Sequence, residues 1–294
     1  MIKSMTGYGR SEHNDGKRNI IVEIKSVNHR YNDITFKMPR RYSFVEDRLK
    51  NLVKDVLRRG KIDISIIVEN ITEEDTQIKM NTIVAEQYIN NLKELKNNFN
   101  LTGELDLQFV STLPDVMKAV PVIEDEEYIY QSFSIPLKEA INRLDDMRVI
   151  EGEKLAKDII MRSNLIRDYL KQIDDRAPQV PIDYRDRLVE RIKELLGSSV
   201  EIPEDRIVME ATIFADKSNI TEELVRLDSH ISQLNHIINN SNQPDGRKLD
   251  FLVQEMNREV NTIGSKANDI KITSCVVDIK SELEKIREQV QNIE

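Results

Sequence analysis

With 294 residues, 39% of them hydrophobic and 32% charged, the chain is long enough for two ordinary domains, each burying a core of its own. No apolar run approaches the roughly 18 residues that cross a bilayer, so no membrane helix is expected, and the single cysteine, Cys275, excludes an internal disulfide or a Cys-based zinc cage. The net charge of −9 is segregated: residues 1–70 hold 15 Lys and Arg against 9 Asp and Glu, a net +6, which leaves −15 for the remainder. A basic first part gripping a polyanion while later carboxylates hold a cation would give this split; a set of Glu-rich solvated helices would make the later part acidic as well.

The opening MIKSMTGYGR lacks the apolar stretch of a secretory signal, from which a cytoplasmic location is expected. SMTGYGR, NIIVEIKSVNH and DITFKM alternate in the manner of three strands. MTGYGR lacks the third glycine and the Gly-Lys-Ser/Thr ending of a phosphate loop, so Gly7 and Gly9 are assigned instead to a bulge or a close approach of the strand. Pro39 stops the third strand. Ser43 is placed as the cap of a helix over 44–59, with Val45, Leu49, Leu52, Val53 and Val56 at helical spacing and Gly60 as its stop. The strand KIDISIIVE follows, then a short extended QIKM, then Asn81 as the cap of a helix over 82–99.

From about residue 125 the pattern becomes helical throughout. Helices are predicted over 136–174, 183–196, 204–216, 221–239, 247–263 and 275–293, with a break at Ala177-Pro178 and Pro181, a stop at Gly197 and a turn at NSNQPDG. The fold class is therefore α+β: a basic N-terminal module over 1–120, a long helical connector over 121–200 and a C-terminal helical domain over 201–294.

Two groups of side chains carry the chemistry. Lys50, Lys54 and Arg58 fall at i, i+4 and i+8, and Arg40, Arg41, Arg59 and Lys61 extend the track, forming either a rail for backbone phosphates or a solvated helix face. His29 and Arg30, at a strand end in VNHRY, are placed to reach into a groove, where Tyr31 would stack on a base. In the C-terminal part, Glu223, Arg226 and His230 share one helix face, and Glu255, Glu259, Thr262 and Lys266 share another, each beside an apolar stripe. If the two helices pack antiparallel, Glu223, His230, Glu255 and Glu259 converge. Carboxylates with one imidazole suit Mn²⁺ or Mg²⁺, and His230 is also suited to general acid or base work at phosphorus. A buried ion-pair network using Arg226, Arg258 and Lys266 accounts for the same residues.

MTGYGR, VNHRY with Asp33 after it, RGKIDI at 59–64, the block GRKLDFLVQEMNREVNTIGSKAND at 246–269 and the ending ELEKIREQVQNIE closely resemble the YicC/YloC family of bacterial proteins. Residues 75–200 carry little of the likeness. Family members commonly have Leu where this chain has Asn32, and many have Ala in place of Val260. The resemblance implies a metal-dependent, Mn²⁺-favouring endoribonuclease that assembles as a homohexamer around RNA and acts in small-RNA and messenger turnover with other RNA-decay proteins. On that footing Glu223, Glu255, Glu259 and His230 are the expected metal ligands, His230, Glu255, Glu259 and Lys266 the expected catalytic groups, and His29, Arg30, Arg40, Arg41, Lys50, Lys54, Arg58, Arg59 and Lys61 the expected RNA contacts. A non-catalytic RNA-binding adaptor or ribosome-maturation factor would use the same basic track.

Overall fold

The structure, a computed structural model, describes residues 2–29, 31–57, 59–70, 76–121, 125–196, 203–240 and 246–294. Arg30, Arg58, Gly197 and most of NSNQPDG lie outside these, so their expected roles have no structural counterpart. The three predicted N-terminal strands are β1 (Gly7–Asn14), β2 (Arg18–Val27) and β3 (Asn32–Lys37), and KIDISIIVE lies in β4 (Gly60–Asn70). They form one sheet in the order β1-β2-β4-β3, antiparallel except for the β3–β4 pair. A parallel pair requires a crossover, and α1 (Glu46–Val56) supplies it.

Alternation along β2 and β4 sends Ile20, Val22, Ile24, Ile62, Ile64 and Ile66 to one face. That face is covered by Leu49 and Val53 of α1 and by Ile129, Phe133, Leu137 and Leu144 of α4 (Glu126–Arg176). The helix expected over 44–59 is shorter than its periodicity suggests. Residues Arg40–Val45 form a 3-10 turn, Ser43 caps nothing, and α1 ends at Leu57 rather than Gly60. Gly60 instead opens β4 with φ 112°, a conformation suited to glycine. Asn32 donates from Nδ2 to the Leu57 carbonyl (2.8 Å) and ties β3 to the end of α1.

Beyond β4 come β5 (Thr76–Met80), α2 (Thr82–Phe99), α3 (Leu107–Thr112) and β6 (Met117–Pro121), with β5 and β6 paired as a separate two-stranded ribbon. Asn81 caps α2 as expected, its side chain accepting from the Val84 N–H (3.3 Å). The periodicity gave no sign of α3 or β6, both of which are very short.

The long helix begins ten residues before its predicted start and carries Pro136 inside it. Its first third belongs to the sheet core, while Ile159, Ile166, Leu170 and Ile173 enter a second, helical core with α7 (Thr221–Asn240), α8 (Gly246–Lys266) and α9 (Ile270–Val290). α5 (Gln179–Leu196) and α6 (Glu204–Lys217) form a hairpin beside it. α9 starts five residues earlier than expected because Asp269 caps it, accepting from the Ile272 N–H (3.1 Å).

Gly9 allows β1 to lie on α4. A Cβ there would sit 2.0 Å from the Ala140 carbonyl oxygen, and one on Gly152 would sit 2.3 Å from that of Ile2. The close approach assigned to Gly9 is thus to a helix backbone. Beside it the two chain ends pair, with Lys3 N donating to the Glu294 carbonyl and Glu294 N to the Lys3 carbonyl (2.8 Å). Arg148, 3% exposed, donates from Nε to the Ser4 carbonyl (2.5 Å) and pairs with Glu294.

Gly9→Ala is expected to destabilise the fold by about 3 kcal/mol, since the added methyl meets backbone that cannot rotate away. Urea unfolding of the purified variant measures this. A midpoint equal to wild type would show that β1 does not lie on α4 as described.

Candidate functional site

The antiparallel packing of α7 on α8 is visible in its cross-links. Lys266 at the end of α8 donates to Glu223 at the start of α7 (Nζ–Oε1 2.7 Å), and Arg226 lies 4.0 Å from Glu259. One turn beyond the Arg226–Glu259 pair, the antiparallel register brings His230 toward the level of Glu255. Glu255 is held by its own helix, pairing with the exposed Arg258 (2.6 Å). The predicted stripes therefore face each other, but as a row of pairs along the interface rather than as one cage. Among the described residues no group of three or more His, Cys, Asp or Glu side chains is arranged to hold a metal ion.

Two donors in the row nonetheless stand open. Glu223 is 6% exposed and its Oε2 has no hydrogen-bond partner, and the buried Nδ1 of His230 has none either. Burial raises the Glu223 pKa, but the hydrogen bond from Lys266, a backbone N–H and the charges of Lys266 and Arg226 outweigh it and hold the carboxyl below its usual 4.5.

Lys266 also faces a cleft of about 780 Å³ between the α5–α6 hairpin and the corner joining α8 to α9. Arg187 and Lys217 line the opposite wall, with Ser265, Asn268 and the first turn of α9 on the near side. Asp269 brings a carboxylate into this cleft, but its charge is engaged by Arg176 (2.7 Å) and by the cap of α9. Phe214, another lining residue, stacks on Tyr184 with ring centroids 3.8 Å apart. Three cations beside an aromatic ring make a surface fitted to a phosphodiester strand.

The N-terminal residues distribute differently. Lys50 pairs with Glu46 (2.7 Å), and Lys54, Arg40 and Arg41 are solvent-facing on α1 and the turn before it. His29 is exposed, with Nδ1 against the Tyr31 backbone, and Tyr31 is 64% exposed. Lys61 lies on the open face of the sheet, in a shallow cleft with Lys25, Lys37 and Asp63. Among the described residues of the track, Arg59 alone reaches the C-terminal part, lining a 260 Å³ cleft with Asn28, Arg247, Asp250 and Gln291. There Asn28 donates to the Gln291 carbonyl (2.9 Å), so the VNHRY, RGKIDI and GRKLDF segments meet at one junction. None of the three clefts is lined by Lys50, Lys54, Glu223, Glu255 or Glu259.

Sequence reasoning missed Arg187, Lys217, Arg247 and Asn28. Arg247 and Asn28 sat inside the segments that carry the resemblance, which was the available signal. Arg187 and Lys217 were unmarked, being single cations on ordinary amphipathic helices.

Comparison with known proteins agrees with the resemblance. Residues 2–157 match the model of the endoribonuclease YicC-like N-terminal region, and residues 173–294 match the endoribonuclease YicC-like C-terminal model. The chain is 46% identical over 294 residues to a probable endoribonuclease YicC of Clostridioides difficile (strain 630), covering all of both chains. It is 32% identical, again over the whole of both, to a probable endoribonuclease YicC of Haemophilus influenzae.

Because the folded pKa of Glu223 is depressed, its ionisation stabilises the protein above about pH 4.5 and that contribution is lost as pH falls through the folded value. Glu223→Gln is therefore expected to be less stable than wild type at neutral pH, with the gap closing in acid. Lys266→Ala, which strands a buried carboxylate, should cost about 1–2 kcal/mol, and adding Glu223→Gln should restore part of it. Denaturant titrations of the four proteins test both points, and strictly additive effects would rule out the pair.

Proposed function

This chain is a member of the YicC-like endoribonuclease family, and on that premise we propose that it cuts RNA internally with the α7–α8 row as its reactive groups and the neighbouring cationic cleft as its strand-binding surface. One observation carries the reading: Lys266 belongs to both, touching Glu223 on one side and lining the cleft with Arg187 and Lys217 on the other.

Arg187 and Lys217 neutralise backbone phosphates and fix the strand. Lys266 sits where a phosphate leaving the cleft would meet the acidic row, so its ammonium stabilises charge developing on phosphorus. His230, with its Nδ1 unpartnered, takes or gives the proton at the attacking or leaving oxygen. The open Glu223 oxygen and the half-buried Glu259 fit a hard divalent cation held by one or two carboxylates, the remaining positions falling to water and the RNA itself. Mn²⁺ or Mg²⁺ so bound would polarise the phosphate and supply a more acidic water. The biological substrates are small and messenger RNAs, and the working form is a cytoplasmic homo-oligomer.

A 5′-labelled single-stranded RNA incubated with nuclease-free protein and Mn²⁺ is expected to be cut, with cutting abolished by chelator. Glu259→Gln and Lys266→Ala should lower kcat on the order of 10²-fold or more, as loss of a charge-stabilising group does. Arg187→Ala with Lys217→Ala should instead weaken RNA binding and flatten its salt dependence by about two counterions. Cutting that survives chelator, or variants that cut at the wild-type rate, would sink the proposal. Tight RNA binding without turnover in either metal would favour the adaptor.

A further inference from the structure

We infer that the cleft where the chain ends meet the start of α8 takes a phosphomonoester, the group borne by a nucleotide at the 5′ end of an RNA or free in solution. The cleft encloses 260 Å³ and is lined by Asn28 and Arg59 from the sheet module and by Arg247, Asp250 and Gln291 from the helical part. It draws on three segments that stand out in the sequence, VNHRY, RGKIDI and GRKLDF. Neither the acidic row nor the cationic cleft beside Lys266 uses any of them.

Arg59 calls for an anion. It is half-buried between the two modules, and among the described residues it makes no ion pair and no hydrogen bond; its buried Nε is without a partner. A guanidinium has five N–H donors, and withdrawing it from water with no counter-charge is costly, so the position suits a negative group that arrives from outside. Asp250, the one carboxylate among the described lining residues, does not serve it. Its Oδ2 accepts from Gln254 (2.8 Å) and its Oδ1 lies 3.8 Å from Arg287. Arg247, on the first turn of α8, brings a second guanidinium to the wall. Gly246 places the N-terminal end of a 21-residue helix there, where negative charge is favoured. The walls are already fixed, since Asn28 donates to the Gln291 carbonyl (2.9 Å) and Met5 N to that of Asn292 (2.8 Å), so binding has little to order.

Charge and size choose the kind of phosphate. Two guanidiniums match a phosphomonoester, with nearly two negative charges at neutral pH, better than an internal phosphodiester with one. A strand held by an internal phosphate must also leave the site in both directions. A pocket at the small end of the range for ligand sites, about 300–1,000 Å³, closes instead around one terminal nucleotide. A carboxylate would fit the same fork, and here the proposed action on RNA decides for phosphate, so the inference rests on that reading to this extent. Because α8 is about 30 Å long, with this cleft at its first turn and Lys266 at its last, the two sites can be tested apart.

Binding to the full-length protein is measured in chelator, without turnover. The first arm compares a short 3′-fluorescein RNA carrying a 5′-monophosphate with the same RNA ending in a 5′-hydroxyl, by anisotropy. The phosphorylated form is expected to bind about ten-fold more tightly, the effect of one hydrogen-bonded charged group. The second arm compares AMP with adenosine by titration calorimetry, with binding expected for AMP alone. A preference in the first arm makes an RNA end the occupant, and AMP binding without it makes the occupant a free nucleotide. In either arm Arg59→Gln is expected to erase the difference, with an unchanged far-UV circular dichroism spectrum to confirm its fold. Arg247→Gln, at an exposed position, should reduce the difference several-fold and carries the test if Arg59→Gln does not fold. Equal binding of the two RNAs together with no binding of AMP, or a preference that the folded variants keep, would overturn the inference. Neither arm involves cleavage, so that result leaves the proposed reaction standing, and a protein that never cuts can still show the preference.

Discussion

The contact of the first strand with the long helix governs the architecture. β1 lies so close to α4 that Gly9 has no room for a side chain, and Gly152, further along the same helix, lets Ile2 cross it. Close packing of this kind leaves no slack, because backbone cannot rotate out of a clash as a side chain can. Arg148 then holds both chain ends against the helix through Ser4 and Glu294. An α4 of 51 residues, about 75 Å long, thereby becomes a spine shared by two cores rather than a tether between independent domains.

On that spine the helical part is registered by charge as well as by apolar packing. Arg162 of α4 reaches Glu282 of α9 (2.7 Å), Arg167 reaches Asp228 of α7 (2.8 Å) and Arg176 reaches Asp269 (2.7 Å). Arg176 holds Asp269 below the usual carboxylate range, and Lys285 with Arg162 does the same for Glu282. Much of the acidity of the later chain is therefore committed to fixing helices against one another. Glu223 belongs to this set through Lys266 and keeps one buried oxygen without a hydrogen bond, as the Asp250 carboxylate does beside Arg287.

The acidic row and the cationic cleft share Lys266, but the cleft owes two of its three cations to the α5–α6 hairpin, which enters neither core except through Val180 and Phe214. An element held by few buried contacts can adjust to a bound strand at low cost. The basic track on α1 stays on the other module, where Lys50 is already paired with Glu46.

Much of this was legible before any coordinates. The α+β class, four strands and the helices after residue 125 follow from apolar periodicity, because a residue facing a core must be apolar whichever core it faces. Asn81 announced its cap because the side-chain bond it makes is local. The facing of α7 and α8 could be anticipated from two polar stripes beside apolar ones. What tertiary structure alone decided is the identity of partners: that Gly9 meets Ala140, that Arg59 rather than Lys50 reaches the C-terminal part, and that Arg187 and Lys217 come opposite Lys266. Those pairings join residues far apart in the chain, and spacing along one helix says which side a cation is on but nothing of what the rest of the molecule places before it.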